Sequence, residues 1–157
     1  MLAEGISRVA DVDEFLAVVR ERLERALVAR FGIDDGIEAA DEAVAYALEH
    51  WERVGRMDNP AGYVFRVGQS YGSRLRRRWQ RSSLLVDAST TTAVELDIDL
   101  QRALLRLSPE QRITVVLVHG HGHTYGEVAE LLGVPTTTIT NHLNRGRARL
   151  RRILETQ

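Results

Sequence analysis

Ser108-Pro109-Glu110-Gln111 and Thr124-Tyr125-Gly126-Glu127 are both capping boxes, and each precedes an apolar stripe at helical spacing. In such a box the Ser or Thr oxygen accepts from the N–H three residues on. The Glu or Gln reaches back to the cap N–H, so local chemistry fixes the start of each helix. Pro109 holds the first helical position, where its missing N–H would have had no partner and its φ is already helical. The first helix carries Ile113, Val116 and Leu117 and is expected to stop near Gly120. The second carries Val128, Ala129, Leu131 and Leu132 and is ended by Gly133. Val134 and Pro135 make a turn, and a last helix runs from about Thr136 to Leu154 on Ile139, Leu143, Leu150 and Ile153. Before the first box, Leu100, Ala103, Leu104 and Leu107 form one more stripe. Helical periodicity dominates elsewhere too, and no stretch alternates long enough for a strand. The expected fold class is all-α.

A short capped helix, a glycine turn and a longer helix are the layout of a helix-turn-helix. Ala129 is small where the two helices cross, Gly133 permits the tight turn, and Val134 with Ile139 fills the angle. The second helix then presents Thr136, Thr137, Thr138, Thr140, Asn141 and Asn144 from its first turns. In this motif that end enters the major groove, where Asn can read adenine and Thr offers a hydroxyl or a methyl. Arg145, Arg147, Arg149, Arg151 and Arg152 follow, suited to phosphates. Four Thr and one Ile at the start of this helix are poor helix formers, the kind of local conflict that functional surfaces carry. A plain helical hairpin with solvated arginines is the blander reading of the same residues.

Three helices are read in the first half. Asp11 or Asp13 caps one with the stripe Leu16, Val19, Leu23, Leu27 and Phe31, and Gly32 to Gly36 is read as a turn. The next runs from about Glu38 to Val54, burying Ala40, Val44, Ala47, Leu48, Trp51 and Val54. Glu38, Asp41, Glu42, Glu49 and Glu52 gather on its other side. The third, roughly Pro60 to Trp79, buries Val64, Val67, Tyr71 and Leu75, and its Gly68 and Gly72 either admit a close neighbour or mark a break. Residues 82–96 lack arginine and any stripe and read as a flexible linker. The expected organisation is therefore two small helical domains, 8–81 and 97–155.

The formal net charge of −1 conceals segregation. Residues 1–65 hold seven Arg against fourteen acids, whereas 66–81 hold six Arg and no acid. Residues 82–139 hold three Arg against seven acids, and 140–157 five Arg against Glu155 alone. Two cationic blocks on an acidic chain suggest a polyanion touched at two places; two solvated helix ends would look the same. With no cysteine there is no disulfide, thiolate metal site or cysteine nucleophile. No apolar run is long enough for a membrane span, and the first residues are too charged for a signal peptide, so a cytoplasmic protein without membrane contact is expected. His119, His121 and His123 alternate with glycine but lack a neighbouring carboxylate or thiolate ligand, so no physiological metal and no cofactor are expected. No phosphate loop or nucleophile elbow is present, and no enzymatic activity is expected.

The segment TYGEVAELLGVPTTTITNHLNRGRARLRRIL, with ALLRLSPEQRITVVLV before it, closely resembles the promoter-binding C-terminal domain of sigma factors of the extracytoplasmic-function type. EAADEAVAYALEHWERV and NPAGYVFRVGQSYGSRLRRR are similar, more loosely, to that family's polymerase-binding helix and its helix for the upstream edge of the melted promoter. The resemblance implies that Glu38, Asp41, Glu42, Glu49 and Glu52 dock on core RNA polymerase. It implies that Arg66, Gln69, Ser70 and Arg74 face the downstream promoter element, with Arg76, Arg77, Arg78 and Trp79 holding phosphate or stacking. Tyr71 suits that face and the core, with core favoured, and Trp51 is read as core. Promoter DNA, core polymerase and an anti-sigma factor are the partners implied. The chain departs from the family at Gly68-Gln69-Ser70, at Thr140 and His142 where basic residues are usual, and at Pro135 in place of a capping Ser. These departures bear on promoter melting and on which upstream element is read. Two other readings are a sigma-derived regulator that binds DNA without programming polymerase, and a helical interaction module that docks on an acidic protein.

Overall fold

Asp11 accepts the Asp13 N–H at 3.3 Å and opens the first helix, α1 (Val12–Phe31). The computed structural model describes residues 11–82 and 98–156. The linker reading lies outside the described residues apart from Ser82, which ends a helix; the side chain of Trp79 is also outside them. Helices α2 (Ile33–Glu49), α3 (Trp51–Val54) and α4 (Pro60–Ser82) complete the first half. The second half has α5 (Ile98–Leu105), α6 (Pro109–Val115), a π-helical turn (Val116–Gly120), α7 (Tyr125–Leu132) and α8 (Thr136–Glu155). Among the described residues there is no strand, and the fold class is all-α, with a helical unit on either side of the connecting segment.

Helix α2 corrects the sequence reading at both ends. The expected turn over Gly32 to Gly36 is a single residue, Gly32, at φ 91° and ψ 173°, a conformation open to glycine. Asp34 and Asp35 already lie in the first helical turn, where acids complement the helix dipole. Gly36 is needed for a different reason: a Cβ there would lie 2.5 Å from Val28 Cα, so α1 and α2 touch backbone to backbone. At the other end α2 stops at Glu49, and His50, whose φ is −118°, breaks the ladder four residues before the expected end at Val54. Trp51 restarts it as α3 and packs its ring 4.9 Å from that of Phe15. Leu48, expected in the core, is 50% exposed, because the buried face is Ala39, Ala40, Ala43, Val44 and Ala47.

That small-residue face lets three helices pack closely. Helix α4 is unbroken, and its glycines admit α1: a Cβ on Gly68 would meet Leu27 Cδ1 at 2.6 Å, and one on Gly72 would meet Phe31 Cε2 at 2.4 Å. Phe65, absent from the expected stripe, is 2% exposed and belongs to the core. In the second half both bonds of the Ser108 box form, at 3.2 and 3.3 Å. The Thr124 box is only half formed. Thr124 Oγ1 accepts the Glu127 N–H at 3.1 Å, but the Glu127 carboxylate takes His123 Nδ1 at 2.8 Å in preference to the cap N–H.

The stripes of the two halves meet in one core. Leu23, Leu27, Val64 and Phe65 belong to the same apolar cluster as Ile113, Leu117, Val128, Leu131 and Ile139. A smaller cluster of Leu107, Val115 and Leu143, flanked by Leu104 and Leu150, secures α5 and α6 against α8. Each half alone is of a size that buries too little surface to be more than marginal, and sharing a core offsets that deficit.

Candidate nucleic-acid interface

The turn between α7 and α8 is built from backbone. Gly133 adopts φ 67° and ψ 36°, the left-handed conformation. Its N–H donates to the Glu130 carbonyl at 3.2 Å, and the Val134 N–H to the Ala129 carbonyl at 3.0 Å. These two bonds form a Schellman motif, which satisfies the last carbonyls of α7 and aims the chain into α8. Pro135 opens α8 without a side-chain cap, its carbonyl receiving the N–H groups of Thr138 and Ile139. Ile139 and Leu143 are buried and hold α8 to the core by one face.

The opposite face is free. Thr136, Thr137, Asn141 and Asn144 are exposed, and Thr138 and Thr140 half-buried. Thr140 donates its hydroxyl proton to the Thr136 carbonyl at 3.2 Å, which leaves its methyl and its oxygen lone pairs for a ligand. Arg145, Arg147, Arg149, Arg151 and Arg152 are all exposed along the rest of the helix. One helix thus presents amide and hydroxyl groups at its start and cations beyond, a distribution suited to base edges followed by phosphates.

On α4, Arg66, Ser70, Arg74, Arg76, Arg77 and Arg78 are exposed and Gln69 is half-buried. Tyr71 packs on the core and donates its hydroxyl to Glu38 Oε1 at 3.1 Å. That bond first, and burial second, holds the phenol above its ordinary pKa. The acidic set is exposed throughout: Glu38, Asp41, Glu42 and Glu49 on α2, and Glu52 on α3 beyond the break. Asp41 pairs with Arg20 at 3.7 Å. Among the described residues no group of three or more His, Cys, Asp or Glu is placed to hold a metal ion, and no helix is long and apolar enough to cross a membrane.

Residues 97–150 match the family described as Sigma-70, region 4. Across 67 residues the chain is 45% identical to the ECF RNA polymerase sigma factor SigM of Mycobacterium tuberculosis; that stretch is 43% of this chain and 34% of SigM. The chain therefore spans about a third of that relative. Its likeness to the RNA polymerase sigma-E factor of Streptomyces antibioticus is longer, 30% identity over 94% of this chain and 88% of that protein. The chain belongs to the sigma-70 family, extracytoplasmic-function type. The sigma-E factor of Streptomyces coelicolor is similar to the same extent, 31% identical over 91% of this chain and 87% of its own length. The fold matches that of the sigma factor RpoE of Bartonella quintana, solved in complex with the anti-sigma factor NepR, with a TM-score of 0.61 at 21% identity, covering 91% of this chain and 96% of RpoE.

In this family member the two halves are joined by residues whose long-range partners sequence reasoning did not assign. Asn59 caps α4, its Oδ1 accepting the Gly62 N–H at 3.0 Å, while its Nδ2 donates to the Glu130 carbonyl of α7 at 2.7 Å. A single side chain thereby serves the start of one helix and the end of another. Gly62 lies under this contact; a Cβ there would stand 3.1 Å from the Glu130 oxygen. Arg25 of α1 reaches His123, which is held in turn by Glu127. The Asn-Pro pair and the i,i+4 spacing of His123 and Glu127 were visible signals, but their partners lie far away in sequence.

Proposed function

We propose that this chain is a sigma factor that binds core RNA polymerase and directs it to specific promoters. The observation that carries the reading is the free face of α8, with its Thr and Asn start and Arg-rich end, on a chain that belongs to this family. In this reading Thr136, Thr137, Thr138, Thr140, Asn141 and Asn144 read the upstream element, and Arg145, Arg147, Arg149 and Arg152 hold its phosphates. Arg66, Gln69, Ser70 and Arg74 take the downstream element, with Arg76, Arg77, Arg78 and Trp79 beside them. Glu38, Asp41, Glu42, Glu49 and Glu52 dock on the polymerase. Residues 8–81 and 97–155 act as the two functional domains, and an anti-sigma factor is a further partner. The chain itself catalyses no reaction, uses no cofactor and works in the cytoplasm.

Co-purification with core polymerase, followed by run-off transcription from genomic fragments, tests this directly. Promoter-dependent transcripts that require the chain support it. Tight duplex binding with no polymerase retained would instead indicate a sigma-derived regulator, the reading that Gly68-Gln69-Ser70 favours.

A further inference from the structure

Where the halves join, three arginines stand close enough for their charges to act on one another, and among the described residues Glu110 is the carboxylate that acts on two of them. Arg30 lies in the last turn of α1, Arg76 in α4 and Arg112 in α6. Arg76 donates from Nη2 to the Arg30 carbonyl at 3.3 Å. The guanidinium carbons of Arg30 and Arg76 stand 5.2 and 5.4 Å from the centroid of the Phe31 ring. Arg112 is only 7% exposed, and the Nε atoms of Arg30 and Arg112 are both buried without a hydrogen-bond partner. Burial first, then the charges of Arg76 and Arg30, push the Arg112 guanidinium below its ordinary pKa. Arg30 is pushed down likewise by burial, opposed by Glu110 and reinforced by Arg76. Glu110 is the carboxylate that acts on both Arg30 and Arg112.

We propose that Arg30, Arg76 and Arg112 form a binding site for a small phosphate-class oxyanion that bridges the two halves of the chain. Among the described residues, three cations against one carboxylate leave an excess of two positive charges, which a dianion neutralises. A buried charged N–H without an acceptor is costly, and guanidinium forks match the oxygens of a tetrahedral oxyanion. The ligand is small because Arg112 is nine-tenths buried, which shuts out a polymer backbone unless the halves part. Arg30 and Arg76 come from the first half and Arg112 from the second, so the complete site exists only while the halves are packed together. An ion that binds only this arrangement stabilises it by mass action.

The test is titration of the full chain with inorganic phosphate by calorimetry and thermal melting, with ionic strength matched by chloride and sulfate as a second oxyanion. The expected result is saturable binding of one phosphate per chain. At about ten times its Kd, phosphate should raise Tm by about 3–6 °C. Sulfate should do the same more weakly, and chloride should not. Arg112→Gln and Arg30→Gln, one from each half, should each weaken phosphate at least tenfold, and whichever variant folds suffices to decide. Phosphate that acts no differently from chloride overturns the proposal, as does full phosphate affinity in a folded variant.

Discussion

Arg25 donates from Nη1 to Nε2 of His123 at 3.0 Å, across 98 positions of sequence. An arginine is a donor only, so Nε2 must carry the lone pair and the imidazole proton sits on Nδ1, which donates to Glu127 Oε2 at 2.8 Å. Glu21 pairs with the same Arg25 from one turn earlier on α1. The chain Glu21, Arg25, His123, Glu127 thus ties α1 to the helix-turn-helix through a neutral imidazole.

Two groups at this junction, His121 and Glu127, make stability fall with acid. His121 is held below the ordinary imidazole value of about 6.5, first by burial and then by the charge of Arg25. Its folded pKa is depressed, so the unfolded chain takes up the proton first. The associated stability is complete above about pH 6.5 and is lost as pH falls from there. Glu127 is held below its ordinary value chiefly by the His123 hydrogen bond, and its contribution is lost at still lower pH, beneath about 4.3. Melting curves between pH 7.5 and 5.5 should show Tm declining, with a flatter decline in His121→Gln. A constant Tm over that range would contradict this account.

Asn59 joins a cap to a bond between halves, and the two roles separate by substitution. Asn59→Ala loses both and should cost about 1–2 kcal/mol in urea unfolding. Asn59→Asp keeps the acceptor for Gly62 but sets a carboxylate against the Glu130 carbonyl, so it should retain the cap and still be destabilised. Equal stability of Asn59→Asp and wild type would show that the bond to Glu130 contributes nothing.

Close helix approach makes the glycines unequal. An alanine at position 36 would press on the Val28 backbone, which cannot move alone, whereas one at 68 would press on a Leu27 methyl that can turn aside. Gly36→Ala should lose at least about 1–3 kcal/mol by overpacking, and Gly68→Ala less. Their denaturation midpoints in the reverse order would refute the comparison.

The acidic face is exposed, so Glu42→Arg with Glu49→Arg should shift stability by no more than about 0.5 kcal/mol each. Retention of core polymerase on the immobilised chain should fall sharply. A folded double variant that retains polymerase as well as wild type removes this face from the docking assignment.

Along α8 the two ends should fail differently. Asn141→Ala should lose about 1–3 kcal/mol at one base pair and relax sequence preference there. Arg149→Ala or Arg152→Ala should weaken every duplex similarly and reduce the salt slope by about one per phosphate contact. Binding isotherms over several salt concentrations decide between them; a uniform loss for Asn141→Ala would take that residue out of base reading.

The helix starts at Asp11 and Ser108, the left-handed turn at Gly133, the buried stripe of α8 and the cationic blocks were all legible in the sequence. Each depends on interactions within about four residues, and capping and periodicity are properties of local chain. Tertiary structure decided what the same residues do at a distance. It assigned Gly32 to a turn but Gly36 to a backbone contact, and it ended α2 at Glu49. It drew the Glu127 carboxylate away from its own helix cap, because His123, fixed by Arg25, offered a better-placed donor. Above all it packed α1 against α6 and the π-helical turn and α4 against α7, making one shared core and bringing Arg30, Arg76 and Arg112 within reach of one another's charge. An apolar stripe states that a face must be buried but carries no address for its partner, and that address is set only when all the faces are packed at once.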